Sequence, residues 1–240
     1  IFSWCRLRNV RKSVDFPGVR ELKLLKGKSI EEISREHFRH IIKDYTHIVM
    51  DIGTGEGEFI YGQARRNPET LYIGLDSCAD RMVRVSLKAG KKTTKGGLKN
   101  VLFVVDDAMA ISDDLAFTAD NIFIHFPWGS LRDGIIKGDA RLLQNLVKVS
   151  KADASLEIYI TYCRKYEENE MISRNLPELS MHYLREVLKE RFHCAGIQVT
   201  EISAMDNEAL KSLQTKWAKK LAYGKAREIF HIRCRILKKK

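Results

Sequence analysis

The chain has 240 residues, of which 44% are hydrophobic, and a formal net charge of +11. These values fit one α/β domain with a sizeable core, and no apolar run approaches the roughly 18 residues that a membrane span needs. The five cysteines are odd in number and form no Cys-x-x-Cys pair, which argues against a zinc site or a disulfide framework and favours reduced thiols in a cytoplasmic protein.

Predicted strands and helices alternate along the chain. Gly27 lies between two short alternating runs within Leu22 to Ile33, which predicts a hairpin, and Ser34 can then cap a helix. Strands are predicted at His47–Asp51, Leu71–Asp76, Val101–Val105, Asn121–His125 and Leu156–Thr161, with helical patterns between them. After a polar stretch at 164–180 come a helix at His182–Phe192, a strand at Ile197–Ile202, a helix at Asn207–Leu221 and a strand at Glu228–Leu237. This order predicts a mostly parallel sheet.

The most informative feature is the run from Val49 to Gly57, an apolar strand pattern that ends in a glycine-spaced turn. A strand that stops at Gly53, with a helix restarting four residues later, brings backbone N–H groups and a helix N-terminus to a ligand. Asp76, at the tip of the next strand, can accept hydrogen bonds from ribose hydroxyls. A dinucleotide fingerprint needs a third glycine where the chain has Glu58. The G-x-G-x-G spacing after Asp51 instead resembles the first motif of S-adenosylmethionine-dependent methyltransferases, the alternative being a glycine-rich turn without ligand.

The loop Phe126-Pro127-Trp128-Gly129-Ser130 follows the fourth strand, at the edge where open parallel sheets place their chemistry. Enzymes that methylate the exocyclic amine of adenine carry an Asp/Asn-Pro-Pro-aromatic loop whose polar residue holds the amino hydrogens. Phe126 stands in that place, so the loop offers Trp128 for stacking but no side-chain acceptor for an amine. The loop therefore favours methylation at a ring nitrogen, the alternative being an ordinary packed corner.

Basic residues are concentrated in two segments. The first contains Lys88, Lys91, Lys92, Lys95 and Lys99, and the second, at 211–240, combines many lysines and arginines with a single acidic residue. Such segments indicate a phosphate-backbone footprint, although a solvated face and a free tail would have the same composition. Trp217 lies in the second segment on a predicted helix. It can either stack with a base, so that two tryptophans hold an extruded nucleotide, or anchor its helix on the sheet.

Several motifs together resemble one enzyme family. They are Asp-Ile-Gly-Thr-Gly-Glu-Gly (51–57), Tyr-Ile-Gly-Leu-Asp (72–76), Lys-Gly-Gly-Leu-Lys-Asn-Val (95–101), Phe-Pro-Trp-Gly-Ser-Leu (126–131) and Trp-Ala-Lys-Lys-Leu-Ala-Tyr-Gly (217–224). Their order is similar to that in aminoglycoside-resistance 16S rRNA methyltransferases of the Npm and Kam type, which act on N1 of adenine 1408. The resemblance runs from about Leu24 to Ile236, and its fourth and fifth motifs are the most specific.

The resemblance implies a class I S-adenosylmethionine-dependent fold. Its α/β, Rossmann-like sheet would have seven mostly parallel strands, with an antiparallel last strand, an N-terminal hairpin and inserted linkers. We expect a single domain at 23–240 with insertions near 86–99 and 164–180, preceded by a disordered basic extension at 1–22. The implied substrate is adenine 1408 of the 30S decoding site, and the implied consequence is aminoglycoside resistance.

The resemblance also assigns residues. The flipped adenine would lie between Trp128 and Trp217, beside Phe126 and Pro127. The implied cofactor-binding residues are Asp51, Gly53, Gly55, Asp76, Asp107, Ala108, Met109, His125, Ser130 and Thr215. The implied RNA-binding residues are Lys88, Lys91, Lys92, Lys95, Glu167, Arg174, Lys220, Lys225 and Arg227, with Glu167 helping to position the insertion. We expect a monomer that requires neither a metal ion nor a membrane.

Three departures from the family pattern qualify these roles. Met109 stands where relatives often have a glutamate, so that Asp106 or Asp107 would orient the cofactor there. Lys220 and Lys225 replace arginines and cannot form a bidentate fork with phosphate. His125 occupies a usually apolar position, which favours a buried neutral histidine over a general base. The alternatives are a tRNA guanine-N7 methyltransferase, whose related loop carries an aspartate absent here, and a cofactor-binding protein that contacts the ribosome without methylating it.

Overall fold

The computed structural model describes residues 21–162, 164–213, 218, 221, 223 and 227–237. The strands in these residues are β1 (Leu22–Lys26), β2 (Ser29–Ile33), β3 (His47–Ile52), β4 (Thr70–Asp76), β5 (Val101–Val105), β6 (Ala119–His125), β7 (Ser150–Thr161), β8 (Ile197–Met205) and β9 (Ile229–Ile236). The helices are α1 (Arg35–Ile42), α2 (Glu58–Arg66), α3 (Ala79–Ala89), α4 (Gly129–Lys137), α5 (Ala140–Val149), α6 (Arg164–Ser173), α7 (Met181–Tyr183), α8 (Lys189–Cys194) and α9 (Asn207–Ser212). A π-helical turn, Leu184–Leu188, joins α7 to α8.

These strands form one sheet in the order β2-β1-β5-β4-β3-β6-β7-β9-β8. The strands β3 to β7 are mutually parallel, whereas β9 runs antiparallel to both β7 and β8. The predicted seven-stranded sheet with an antiparallel last strand is therefore confirmed, and the predicted hairpin extends it through the antiparallel pairing of β1 with β5. Leu22 already belongs to β1 and is buried, so the ordered sheet begins within the segment expected to be an extension.

Burial explains why the central strands were readable from the sequence. β3 and β4 are buried along almost their whole length, because helices cover both faces of a parallel sheet and each strand becomes a continuous apolar run. The predicted cap of α1 is also present, since the Ser34 side chain accepts a hydrogen bond from the backbone N–H of His37.

Two expected elements differ from the prediction. The helix predicted at Asn207–Leu221 is interrupted, because α9 ends at Ser212 and Leu213 adopts an extended conformation with ψ 124°. Leu213 there packs against an apolar cluster that contains Phe126 and Tyr159, and this tertiary contact outweighs the local helical pattern. The strand predicted to begin at Leu156 instead begins at Ser150. The added residues are mostly polar, Asp153 among them has a positive φ, and the pairing with β6 shifts register between Ala119 and Asn121.

The chain places its loops at one edge of the sheet. It proceeds from β3 through β4 to β5 on one side and then crosses to β6 and β7 on the other, so that β3 and β6 lie at the reversal of strand order. In open α/β sheets, ligands bind outside the carboxyl ends of the strands at this point. The turn after β3 and the loop after β6 meet there.

Candidate functional site

The turn after β3 exposes backbone rather than side chains. Gly53, Gly55 and Gly57 all have positive φ, between 59° and 75°, a region that favours glycine. A Cβ atom on Gly53 would lie 2.6 Å from Leu131, whereas one on Gly55 would meet nothing within 4 Å. The turn is therefore closely packed on its inner side and open where it faces the cavity.

Asp76, at the end of β4, is held by two backbone donors. Its Oδ2 accepts from the Gly55 N–H at 2.8 Å, and its Oδ1 accepts from the Cys78 N–H at 2.9 Å. Burial raises the pKa of its carboxyl group and the nearby Asp51 adds to this effect, while the two N–H donors and Arg81 oppose it. Each carboxylate oxygen can accept a further hydrogen bond, so Asp76 can hold the two hydroxyls of a ribose.

Asp51 is almost fully buried and both of its oxygens are engaged. Oδ2 accepts from the Thr54 hydroxyl at 2.6 Å, and Oδ1 lies 3.0 Å from His125 Nδ1. His125 is also buried, stacked on the Tyr159 ring at 5.1 Å between centroids. It thus holds Asp51 in place, in agreement with the expected buried histidine.

A cavity of about 370 Å³ joins these residues to the loop after β6. The predicted site residues that line it are Asp51, Gly53, Gly55, Asp76, Asp107, Ala108, His125, Phe126, Pro127, Trp128 and Ser130. Helix α2 begins beside the cavity at Glu58, and its N-cap residue Gly57 provides no side-chain cap, which leaves the first backbone N–H groups of the helix available to a ligand. Open space at Gly55, an acceptor for ribose at Asp76 and this helix N-terminus together fit S-adenosylmethionine.

The loop after β6 separates this cavity from a second one of about 120 Å³. Phe126, Pro127 and Trp128 line both, and Trp128 is 48% exposed. Phe126 has φ +48°, an uncommon value for a residue with a side chain, and donates its N–H to the Tyr159 carbonyl at 2.7 Å. The loop is therefore a constrained partition with an aromatic ring at its surface.

Met109 is not among the residues that line the larger cavity, and its contact with the cofactor stays a prediction. Its side chain packs against the core, and its sulfur would lie 3.5 Å from a Cβ on Gly134. Asp106 and Asp107 do line the cavity, where either could orient the cofactor in place of the glutamate that relatives often have at position 109. The sequence interpretation did not select Thr54, Cys78 or Arg81, which also line it.

The predicted RNA-binding residues fall into two groups. Lys91, Lys92 and Lys95 are exposed, in a segment fixed by hydrogen bonds from the Lys95 and Gly97 N–H groups to the Lys92 carbonyl. By contrast, Lys88 lies 4.4 Å from the centroid of the Tyr61 ring, Arg174 pairs with Asp133, and Arg227 pairs with the buried Glu167. Thr215, Trp217, Lys220 and Lys225 lie outside the described residues.

Other features of the described residues concern metals and membranes. They include no group of three or more histidine, cysteine, aspartate or glutamate side chains placed to hold a metal ion. They also include no helix of the length and hydropathy that crossing a bilayer requires.

The sheet, the glycine turn, Asp76 and the cavity define a class I S-adenosylmethionine-dependent methyltransferase. Within that class, the chain belongs to the 16S rRNA (adenine(1408)-N(1))-methyltransferase family, because the family model described as NpmA matches residues 23–236.

Known relatives agree over most of the chain. A 16S rRNA (adenine(1408)-N(1))-methyltransferase from Escherichia coli is 37% identical over 210 residues, which cover 87% of this chain and 96% of the relative. One from Streptoalloteichus hindustanus is 30% identical and covers 81% and 89%. A tryptophan-to-alanine mutant of the same enzyme from Catenulisporales acidiphilia, solved with the cosubstrate SAM, superimposes with a TM-score of 0.81 at 29% identity, covering 91% and 98%. The aminoglycoside resistance methyltransferase NpmB1 gives 0.80 at 26% identity, covering 90% and 100%.

Proposed function

We propose that this enzyme transfers a methyl group from S-adenosylmethionine to N1 of adenine 1408 in 16S rRNA of the 30S subunit and thereby confers aminoglycoside resistance. The observation that carries the proposal is the shared wall of the two cavities. Phe126, Pro127 and Trp128 border the cofactor cavity and also the smaller cavity, so a base stacked on Trp128 lies next to the methyl donor. The names of the relatives support the choice of nucleotide.

Positioning accounts for the chemistry in this proposal. When bound, S-adenosylmethionine supplies a methyl group activated on a sulfonium sulfur. Adenine N1 has a free in-plane lone pair, so no residue of the chain has to remove a proton before attack. The chain fixes the ribose through Asp76 and presents the base with Trp128 and Trp217, since holding the reacting atoms about 3–3.5 Å apart in line gives a large rate factor. The two indole faces would also favour the cationic product.

The exposed lysines suit a folded RNA surface. Lys91, Lys92 and Lys95 project from a segment that lies between α3 and β5. The close approach of Gly97 to the Lys91 carbonyl, where a Cβ would lie at 1.7 Å, fixes the path of this segment. Because its backbone path is already fixed, this basic surface loses little backbone entropy on binding phosphates, and its contribution should weaken with salt.

Transfer of labelled methyl from S-adenosylmethionine to intact 30S subunits tests the proposal, with primer extension to locate the modified nucleotide. We expect incorporation and a stop at the decoding-site adenine. Incorporation into tRNA alone would instead support a guanine-N7 methyltransferase. Cofactor binding without transfer to any RNA would support a non-catalytic ribosome-binding protein.

The tryptophan pair is tested in the same assay. Trp217→Ala should abolish methylation while the affinity for S-adenosylmethionine stays near normal. Trp4→Ala is the matched control, because Trp4 lies outside the residues matched by the family model. Full activity of Trp217→Ala would remove the sandwich from the mechanism.

Resistance is tested in bacteria. Expression of the wild-type chain should raise the inhibitory concentration of aminoglycosides that hydrogen-bond to the Watson–Crick edge of that adenine, whereas Trp217→Ala should not. An unchanged inhibitory concentration despite soluble wild-type protein would contradict the proposed biological role.

A further inference from the structure

Arg132 places a charged group in the wall of the smaller cavity, beside the base-stacking loop. Its side chain is only 3% exposed, and its guanidinium carbon lies 5.6 Å from the centroid of the Trp128 ring and 5.4 Å from that of Tyr162. Both distances are within the range of cation–π attraction. Arg132 follows Trp128 by four residues at the start of α4, and this spacing directs the side chain back towards Trp128.

Two carboxylates hold this buried guanidinium. Its Nη2 donates to Glu170 Oε2 at 2.6 Å, and its Nε and Nη2 donate to Asp133 Oδ1 at 3.2 and 3.1 Å. A buried cation depends on such partners for its position. Asp133 belongs to α4, but Glu170 belongs to α6, which is part of the 164–180 insertion. The orientation of the guanidinium is therefore set jointly by the two helices.

The same carboxylate network reaches the surface of the insertion. Asp133 Oδ2 accepts from Arg174 Nη1 at 2.8 Å, so one aspartate joins Arg132 to an exposed arginine. The Lys137 ammonium group also donates to the Arg174 carbonyl at 2.9 Å. These contacts fix the C-terminal end of α6 against α4.

We propose that Arg132 is a positioning residue, which fixes the plane of the Trp128 ring for stacking with the target base and makes that plane depend on the 164–180 insertion through Glu170. A planar guanidinium suits this role because it can lie against aromatic rings while its edge donates to carboxylates, which a lysine cannot reproduce. The proposal rests on the proposed function, since it assigns a purpose to Trp128 as a base platform.

Fluorine NMR on protein labelled with 5-fluorotryptophan tests the positioning directly and needs no RNA. Trp128→Phe assigns the Trp128 resonance. We expect Arg132→Met, Arg132→Lys and Glu170→Gln each to shift or broaden that resonance while those of the other tryptophans stay in place. An unchanged Trp128 resonance in all three variants would overturn the proposal.

Methylation kinetics with 30S subunits give the second readout. Arg132→Met should lower kcat by about tenfold or more, a loss expected of misplaced reacting groups, with the affinity for S-adenosylmethionine unchanged. Arg132→Lys should restore part of the loss, because it keeps the charge but not the planar fork. Glu170→Gln should also lower kcat. Because the Glu170 side chain is half-exposed, this variant should fold and can test the proposal if Arg132→Met does not fold.

The control is Arg141→Gln, an exposed arginine of α5, which should leave kcat and the NMR spectrum as in the wild type. A kcat that is unchanged in Arg132→Met and Glu170→Gln would overturn the proposed positioning even though methylation by the wild type stands. Failure of the wild type to methylate 30S subunits would contradict the proposed function instead, and the fluorine spectra would still decide whether Arg132 orients Trp128.

Discussion

His125 Nδ1 lies 3.0 Å from Asp51 Oδ1, which links the strand before the aromatic loop to the strand before the glycine turn. The two residues lie on adjacent parallel strands, with Asp51 opposite Phe123. Because both side chains are nearly buried, loss of the contact would leave a polar atom of Asp51 without its partner. A displacement of the aromatic loop can therefore change the position of Asp51 in the cofactor cavity.

His125→Phe should weaken S-adenosylmethionine binding. The substitution keeps a ring in the stack on Tyr159 but leaves one oxygen of the buried Asp51 without its donor, and we expect a loss of affinity of about tenfold. Isothermal titration calorimetry measures it, with the exposed His40→Phe as control. Equal affinity in the two variants would show that Thr54 alone is enough to hold Asp51.

Cofactor affinity should depend on the protonation of Asp76. Burial raises the pKa of its carboxyl group above the ordinary aspartate value, and only the ionised form can accept hydrogen bonds from both ribose hydroxyls. Affinity should therefore be complete at neutral pH and fall as the pH is lowered through this raised pKa. Titrations across acidic pH should show that loss in the wild type and in the exposed control Asp44→Asn, whereas Asp76→Asn should bind weakly without it.

Trp128 should matter for methyl transfer and not for cofactor affinity. Trp128→Ala removes a stacking surface worth about 1–3 kcal/mol per base, so transfer to 30S subunits should fall by one to two orders of magnitude. Trp128→Phe keeps a smaller ring and should retain intermediate activity. A Trp128→Ala enzyme that lost cofactor affinity to the same extent as activity would indicate that the indole belongs to the cofactor site instead.

The exposed lysines of the segment between α3 and β5 should contribute to 30S binding through charge alone. In a Lys91→Gln, Lys92→Gln, Lys95→Gln triple variant, the apparent KM for 30S subunits should rise and the salt dependence of binding should become shallower by roughly 0.7–0.9 log unit per phosphate contact removed. Lys189→Gln, at an exposed lysine of α8, serves as the control. A salt dependence equal to that of the wild type would exclude phosphate contacts by these lysines.

Removal of the hydroxyl group should change the free energy of unfolding in opposite directions at two buried tyrosines. The Tyr162 hydroxyl has no hydrogen-bond partner among the described residues, whereas the Tyr159 hydroxyl donates to Glu157 at 2.9 Å. Tyr162→Phe should therefore raise the free energy of unfolding by about 1 kcal/mol, and Tyr159→Phe should lower it by about 1 kcal/mol. Urea denaturation of the two variants provides the comparison, and destabilisation by Tyr162→Phe would reveal a partner for its hydroxyl.

The parts of the fold that could be predicted are those that depend on local sequence patterns. The glycine turn after β3 and Asp76 at the end of β4 depend on residues next to one another in sequence, so their chemistry could be read directly. Their proximity in the cavity then follows from the general rule for strand order in parallel sheets.

The missed features depend on contacts between distant segments. Glu170 is 38 residues from its partner Arg132, and nothing in the sequence around either residue predicts the pairing. In the same way, the sequence alone cannot show that the Met109 side chain packs against the core beside Gly134. The end of the helix before Leu213 has a similar origin, because Leu213 packs in an extended conformation against an apolar cluster formed by other elements.

The hairpin of β1 and β2 also changes how the sheet ends. β5 is an uncharged, apolar strand (Val101–Val105), and β1 pairs with its outer edge. The new outer strand, β2, is exposed over four of its five residues and contains two glutamates, which discourage pairing with another chain. A version of the chain that lacks the hairpin would expose the backbone of β5. We expect it to self-associate and aggregate through that edge rather than simply become less stable.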